Sequence, residues 1–118
     1  MKNLYTIYHN PRCSKSRKTL ELLQQADVSP EIVEYLTAPP SPEVLLDIVA
    51  KLGCEVRDLI RVKESAFSEL GLDDDSLDDA ALVAAMVENP ILIERPIVVK
   101  GDRAVIGRPP ENVLALLD

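Results

Sequence analysis

A chain of 118 residues with 47% hydrophobic and 28% charged residues is long enough to bury a core of its own as one soluble domain, without disulfide staples. Its net charge of −7 argues against a nucleic-acid binder. No apolar run approaches the ~20 residues of a membrane span, and the first residues lack a signal-peptide pattern, so the expected setting is the cytoplasm, with no membrane partner.

The charge is unevenly placed. Residues 1–18 hold five bases and no acid, residues 19–94 hold 17 acids and four bases, and residues 95–118 hold four bases and three acids. A basic N-terminal segment therefore survives inside an acidic protein, and it contains Cys13. Aromatic residues are scarce and Trp is absent, so the core is expected to be built from Leu, Val, Ile and Ala.

Leu4 to Tyr8 alternates and is rich in β-formers, which predicts a strand. Asn10-Pro11 breaks it. Ser14 to Ala26 carries Leu20, Leu22, Leu23 and Ala26 at helical spacing, with Ser14 as the expected cap. A turn over Asp27 to Pro30 leads to a short strand over Glu31 to Tyr35. Strand, helix and strand within about 35 residues form a βαβ unit, which favours parallel pairing.

After the Pro-rich stretch Thr37 to Pro42, Ser41-Pro42 opens a helix, with Ser as N-cap and Pro at the first position. Its expected apolar stripe is Val44, Leu45, Ile48, Val49 and Leu52, and Gly53 ends it. Short helices are expected at Val56 to Leu59 and Ser65 to Leu70. The five Asp of Asp73 to Asp79 read as a solvated loop and helix cap. A helix follows, from Leu77 or Asp78 to Glu88, and Asn89-Pro90 stops it.

Pro96 to Val99 and Ala104 to Ile106 read as a hairpin turning at Lys100-Gly101-Asp102. Pro109-Pro110 starts the last helix, with Val113, Leu114, Leu116 and Leu117 on its buried side. The expectation is one α/β domain over residues 1–118 with a four-stranded mixed sheet. A helical insertion, over about residues 41–90, separates its βαβ and ββα halves. That order matches a thioredoxin-like domain, although other α/β folds share it.

The first chemical candidate is His9-Asn10-Pro11-Arg12-Cys13-Ser14-Lys15-Ser16-Arg17. A cysteine between a strand end and a helix start faces unpaired backbone N–H groups and the positive end of the helix dipole. Arg12, Lys15 and Arg17 add positive potential. Both effects lower a thiol pKa and favour the reactive thiolate. Ser16 stands where its hydroxyl could donate to the sulfur, and His9, the one histidine, could bias the proton or orient the loop.

The pattern is C-x-x-S, so a mixed disulfide at Cys13 must be resolved by an outside thiol. Glutathione is the obvious cytosolic candidate. Cys54 lies at a helix end, far along the chain, and reads as structural. A phosphatase loop would need an arginine six residues after the cysteine, where Thr19 stands. Two distant cysteines and one histidine do not make a zinc site.

Arg61, Arg95 and Arg108 form the second candidate set, because guanidinium forks bind tetrahedral oxyanions in bidentate fashion. Each sits beside a chain break or short helix. Spacing alone does not bring them together.

Residues Tyr8 to Arg17 resemble the active-site segment of the glutaredoxin-coupled arsenate reductases. Glu94-Arg95-Pro96-Ile97-Val98-Val99 and Ile106-Gly107-Arg108-Pro109-Pro110-Glu111 resemble that family's second and third signatures. The resemblance runs from about Leu4 to Leu117, and Cys13-Ser14-Lys15-Ser16 makes the chain similar to its shorter members. It implies a thioredoxin-like fold and reduction of arsenate, or another small oxyanion, by a cysteine matching Cys13. It further implies oxyanion binding by Arg61, Arg95 and Arg108, thiolate support from His9 and Ser16, and a structural cis-proline at Pro96. Glutathione would be the co-substrate and glutaredoxin the partner, with no bound cofactor and no metal.

Two other readings stay open. Lys15 stands where the longer reductases carry a smaller, uncharged residue, and its charge could hold a glutathione carboxylate. That would suit a glutathione-linked thiol-disulfide reductase. The acidic middle segment would suit a non-catalytic protein-binding module related to thioredoxin-like transcription regulators, although Ser16 replaces the second cysteine of such a regulator's redox switch.

Overall fold

In a computed structural model the described residues are 4–117. The outermost residues of the expected domain, Met1, Lys2, Asn3 and Asp118, lie outside them. The chain divides into two compact units. One comprises the described parts of Met1–Ala38 and Arg95–Asp118, and the other is Pro39–Glu94.

The first unit is built on a sheet. Strands β1 (Tyr5–Tyr8), β2 (Glu31–Val33), β3 (Ile97–Lys100) and β4 (Arg103–Ile106) lie in the order β2-β1-β3-β4. β1 and β2 are parallel and joined by helix α1 (Ser14–Gln25), while β1–β3 and β3–β4 are antiparallel. The mixed four-stranded sheet is thus as expected.

Register explains the core. Ile7 pairs with Ile32 on one side and Val98 on the other, and Val98 pairs with Val105. Directly opposed residues share a face, and Ile7, Val98 and Val105 of this row meet Leu23 of α1 and Val113 and Leu116 of the C-terminal 3₁₀ helix (Pro110–Leu116), while Ile32 at the sheet edge stays exposed. Ile7, Leu23, Val98 and Val113 are fully buried there. Tyr5 Oη donates to the Leu116 carbonyl at 3.1 Å, and Lys100 Nζ donates to the same oxygen at 2.7 Å. The last helix is thereby fastened to the sheet.

Several boundaries differ from expectation. The N-cap of α1 is Cys13, not Ser14. β2 stops at Val33 because the Glu34 carbonyl is taken by turn bonds from Thr37 and Ala38. Lys100 pairs with Arg103 within the ladder, so the hairpin turn is only Gly101-Asp102. Gly101 has φ +60°, the conformation that makes glycine the favoured first residue of a II′ turn. The final helix is 3₁₀ in form, and Leu114 points to solvent rather than to the core.

Gly107 marks a close approach. A Cβ there would lie 2.5 Å from Thr19 Oγ1 and 2.9 Å from the Pro96 ring. Gly107→Ala therefore forces α1 and the Pro96 segment apart. We expect a loss of about 1–3 kcal/mol in denaturant unfolding, the usual range for overpacking; an unchanged midpoint would show that the contact relaxes freely.

The second unit is helical. It contains α2 (Pro42–Leu52), a 3₁₀ turn (Val56–Leu59), α3 (Ser65–Glu69), α4 (Asp79–Glu88) and a 3₁₀ turn (Pro90–Leu92). Ser41 Oγ accepts from the Val44 N–H at 3.3 Å, and Pro42 takes the first position, as the sequence predicts. Gly53 ends α2 in the left-handed conformation. Leu45, Ile48 and Val49 of α2 are buried, as are Leu82, Val83 and Met86 of α4, the helix packed against it. Val44, expected in the stripe, is exposed.

The Asp-rich run is a loop and cap. Asp78 caps α4 by accepting from the Ala81 N–H at 2.9 Å. Arg57 holds the loop by donating to the carbonyls of Leu72 at 2.8 Å and Asp74 at 2.6 Å.

Candidate active site

Sheet pairing assembles the site. Tyr8 ends β1 opposite Ile97, and Ile97 starts β3 opposite Ile106, the last residue of β4. The ladders continue one step beyond, with the His9 N–H donating to the Val33 carbonyl and the Gly107 N–H to the Pro96 carbonyl, each at 2.9 Å. The loop after β1, the residues before β3 and those after β4 thus leave the sheet at the same end. Cys13, Arg95 and Arg108 stand on these three segments. The Arg95-Pro96 peptide bond is cis, and so is Arg108-Pro109.

Cys13 is the half-buried residue from which α1 starts, in extended conformation. Its N–H donates to the Asn10 carbonyl, and its carbonyl accepts the first helical bond from Arg17, both at 3.0 Å. The sulfur makes no strict capping hydrogen bond, yet the N–H groups of Ser16 and Lys15 face it. Burial pushes the thiol pKa up. The Ser16 N–H, the Arg95 guanidinium and the Lys15 N–H together outweigh it, and the thiol ends below its ordinary value. The exposed Arg12 and Lys15 side chains, expected from sequence to supply the positive potential, are not among these causes. Arg17 donates to the Pro11 carbonyl at 3.0 Å instead.

Ser16 departs from expectation. Its hydroxyl is fully buried, lies 2.6 Å from His9 Nδ1 and accepts from the Asn10 N–H at 3.0 Å. The hydroxyl is thus occupied by His9 and Asn10, and it is the backbone N–H of Ser16 that serves the sulfur. Burial, with the charge of Arg17, lowers the His9 pKa against an opposing pull from Glu34 and so favours the neutral imidazole. It acts on the loop through Ser16. Ser16→Ala leaves a buried N–H and a buried imidazole nitrogen without this partner. We expect about 1–3 kcal/mol of lost stability, measured by denaturant unfolding, with wild-type stability contradicting the network.

Asn10 is a residue that sequence reading missed, treating it only as a strand breaker. It is 7% exposed, and its Oδ1 accepts from the Arg12 N–H at 3.0 Å. The available signal was its type and place: Asn side chains commonly bond backbone two residues on.

Arg108 is half-buried, and its carbonyl accepts from Asn112 Nδ2 at 3.3 Å. Arg61 belongs to the helical unit. Its N–H donates to the Leu92 carbonyl at 2.7 Å, its Nε to Glu64 at 3.1 Å and its terminal nitrogen to Glu94 at 2.9 Å. Ile60 bridges Ile93 beside it. Burial works against the charge on Arg61, but the two carboxylates prevail and raise its pKa. Cys54, at the end of α2, is the opposite of Cys13: burial, Asp58 and Glu55 all push its thiol pKa up.

Among the described residues, no group of three or more His, Cys, Asp or Glu is arranged to hold a metal ion. No helix there is long and apolar enough to cross a membrane.

The chain is 54% identical over 112 residues to the uncharacterized protein YfgD of Escherichia coli (strain K12), covering 94% of each chain. It is 48% identical over 112 residues to an arsenate reductase of Neisseria meningitidis serogroup A, covering 94% of this chain and 96% of that one. Its structure superposes on an arsenate reductase from Vibrio cholerae with a TM-score of 0.92 at 52% identity, over 94% of this chain and 95% of that one. The ArsC family matches residues 8–116. That span takes in the thiolate loop, the Arg95-Pro96 bond and Arg108, and the chain belongs to the ArsC family.

Proposed function

We propose that the protein reduces arsenate to arsenite, with Cys13 as nucleophile, glutathione as co-substrate and glutaredoxin as partner. The observation that carries this reading is the Cys13 thiol, held below its ordinary pKa with the Arg95 guanidinium against its sulfur. It joins a ready nucleophile to a fork suited to tetrahedral oxyanions. Homologues named arsenate reductase support the choice of oxyanion.

The Cys13 thiolate forms a bond to arsenic, and one arsenate oxygen leaves as water after taking up protons. Arg95 and Arg108 balance the oxyanion charge and the charge that builds on the leaving oxygen. Arg61 is the third candidate, but Glu64 and Glu94 already hold it, so an oxyanion there competes with two carboxylates. The glutathione thiol then attacks the cysteinyl adduct. The two sulfurs join as a disulfide, arsenic(V) takes their electron pair, and arsenite leaves as arsenic(III). Ser16 offers no second thiol, so glutaredoxin resolves the Cys13–glutathione disulfide. Glutathione dependence fits a reducing, cytoplasmic setting.

Oxyanion binding is tested by protection. Arsenate should slow alkylation of Cys13 by iodoacetamide, with a saturable dependence on arsenate and no effect of equal chloride. Absence of protection would contradict the oxyanion site. Lys15, exposed two residues from Cys13, favours a second reading as a glutathione-linked thiol-disulfide reductase. That reading is preferred if arsenate gives no protection while the protein reduces a glutathione mixed disulfide.

A further inference from the structure

The loop carrying Cys13 has a single residue at its centre. Asn10 sends three polar groups into it. Its N–H donates to Ser16 Oγ, its carbonyl accepts the Cys13 N–H, and its side-chain Oδ1 accepts the Arg12 N–H, each at 3.0 Å. The residue is 7% exposed; its bond to Ser16 is buried and its bond from the Arg12 N–H is partly buried, so both polar ends of Asn10 are satisfied within the loop. The three bonds sort the amides at the start of α1. Those of Arg12 and Cys13 are turned inward to Asn10, and those of Lys15 and Ser16 are left for the sulfur.

We propose that Asn10 is the positioning residue of the thiolate: its side-chain oxygen locks the Arg12 peptide, which sets the turn that aims the Cys13 sulfur at Arg95 and at the N–H groups of Lys15 and Ser16. Asn10 acts through the loop and does not touch a substrate. The inference rests on Cys13 as the reacting thiol, and not on arsenate as its substrate.

The side-chain bond is the separable part, because the backbone bonds survive substitution. Alanine removes the acceptor. Serine keeps a shorter one that can make the same turn two residues on. The charged group facing the sulfur from outside the loop is Arg95, which neither change alters. His9 lies behind Ser16, where burial disfavours its charged form, and neither change alters its contact with the Ser16 hydroxyl.

The experiment is the pH profile of Cys13 alkylation by iodoacetamide in the full-length protein, in Asn10→Ala and in Asn10→Ser, each also assayed for unfolding midpoint. Cys54 is assigned its own rate from a Cys13→Ser control. In Asn10→Ala the alkylation rate at neutral pH should fall about three- to tenfold, with the profile moved to higher pH and the limiting rate at high pH retained, because two amide donors to a thiolate are misaimed. Asn10→Ser should recover most of the rate. A folded Asn10→Ala with the wild-type profile overturns the proposal. So does an Asn10→Ser profile that matches alanine while its unfolding midpoint matches wild type. None of these outcomes depends on turnover of arsenate, so failure of the positioning role and failure of the proposed function read separately.

Discussion

Cys13→Ser is expected to abolish arsenate-dependent turnover while leaving the fold in place. A serine hydroxyl is scarcely ionised near pH 7 and cannot form the disulfide with glutathione whose formation gives arsenic its electron pair. The loss should be at least about 10³-fold, as for removal of a covalent nucleophile. The substitution is nearly isosteric at a half-buried position whose backbone bonds to Asn10 and Arg17 do not involve sulfur. Thermal unfolding should therefore stay near wild type. Normal turnover by Cys13→Ser would remove Cys13 from the mechanism. Cys54 offers no substitute, because burial and the adjacent carboxylates of Asp58 and Glu55 disfavour its thiolate.

Arg95→Ala should produce the next largest effect, and in two separable ways. The guanidinium stabilises the anionic form of Cys13 by hydrogen bonding and by charge. Its removal raises the thiol pKa, so a given thiolate fraction is reached only at higher pH. Alkylation of Cys13 at neutral pH should slow about tenfold, the effect of roughly one pKa unit. Turnover of arsenate should fall further, by about 10²- to 10³-fold, because the same group is proposed to meet charge that develops on the oxyanion. Arg95→Lys should recover part of the thiolate effect and less of the turnover, since an ammonium lacks the planar fork. Equal losses in alkylation and turnover would limit Arg95 to tuning the thiol.

Much of the sheet was legible because its strands are short runs of β-branched residues with clear breakers. Ile97-Val98-Val99 and Tyr5-Thr6-Ile7-Tyr8 need no tertiary information to be read as strands. The ends were less legible. β2 stops early because a turn captures the Glu34 carbonyl, and Lys100 joins the ladder because a two-residue turn suffices for Gly101. The C-terminal segment shows helical spacing, yet it forms a 3₁₀ helix tied at its end to Tyr5 and Lys100.

At the site, the position of Cys13 at a helix start could be read from the order of elements. Which groups lower its pKa could not. Charges near in sequence, on Arg12, Lys15 and Arg17, suggested the answer, but pairing of β1 with β3 brings Arg95 to the sulfur from the far end of the chain. Ser16 was read as a side-chain donor to sulfur, but its hydroxyl is engaged by His9 and Asn10. A buried imidazole and a buried amide take up that hydroxyl together, and neither partner is visible from spacing. Arg57 likewise looked like one base in an acidic stretch, although it clamps the Asp-rich loop through two carbonyls.

The most direct measurement is NADPH oxidation by the purified protein in the presence of arsenate, glutathione, glutaredoxin and glutathione reductase. The expected result is a rate that saturates with arsenate, requires both glutathione and glutaredoxin, and disappears in Cys13→Ser. An arsenate-independent rate, or none at all from protein whose Cys13 still alkylates as a low-pKa thiol, would contradict arsenate reduction and turn the search to glutathione-linked disulfides.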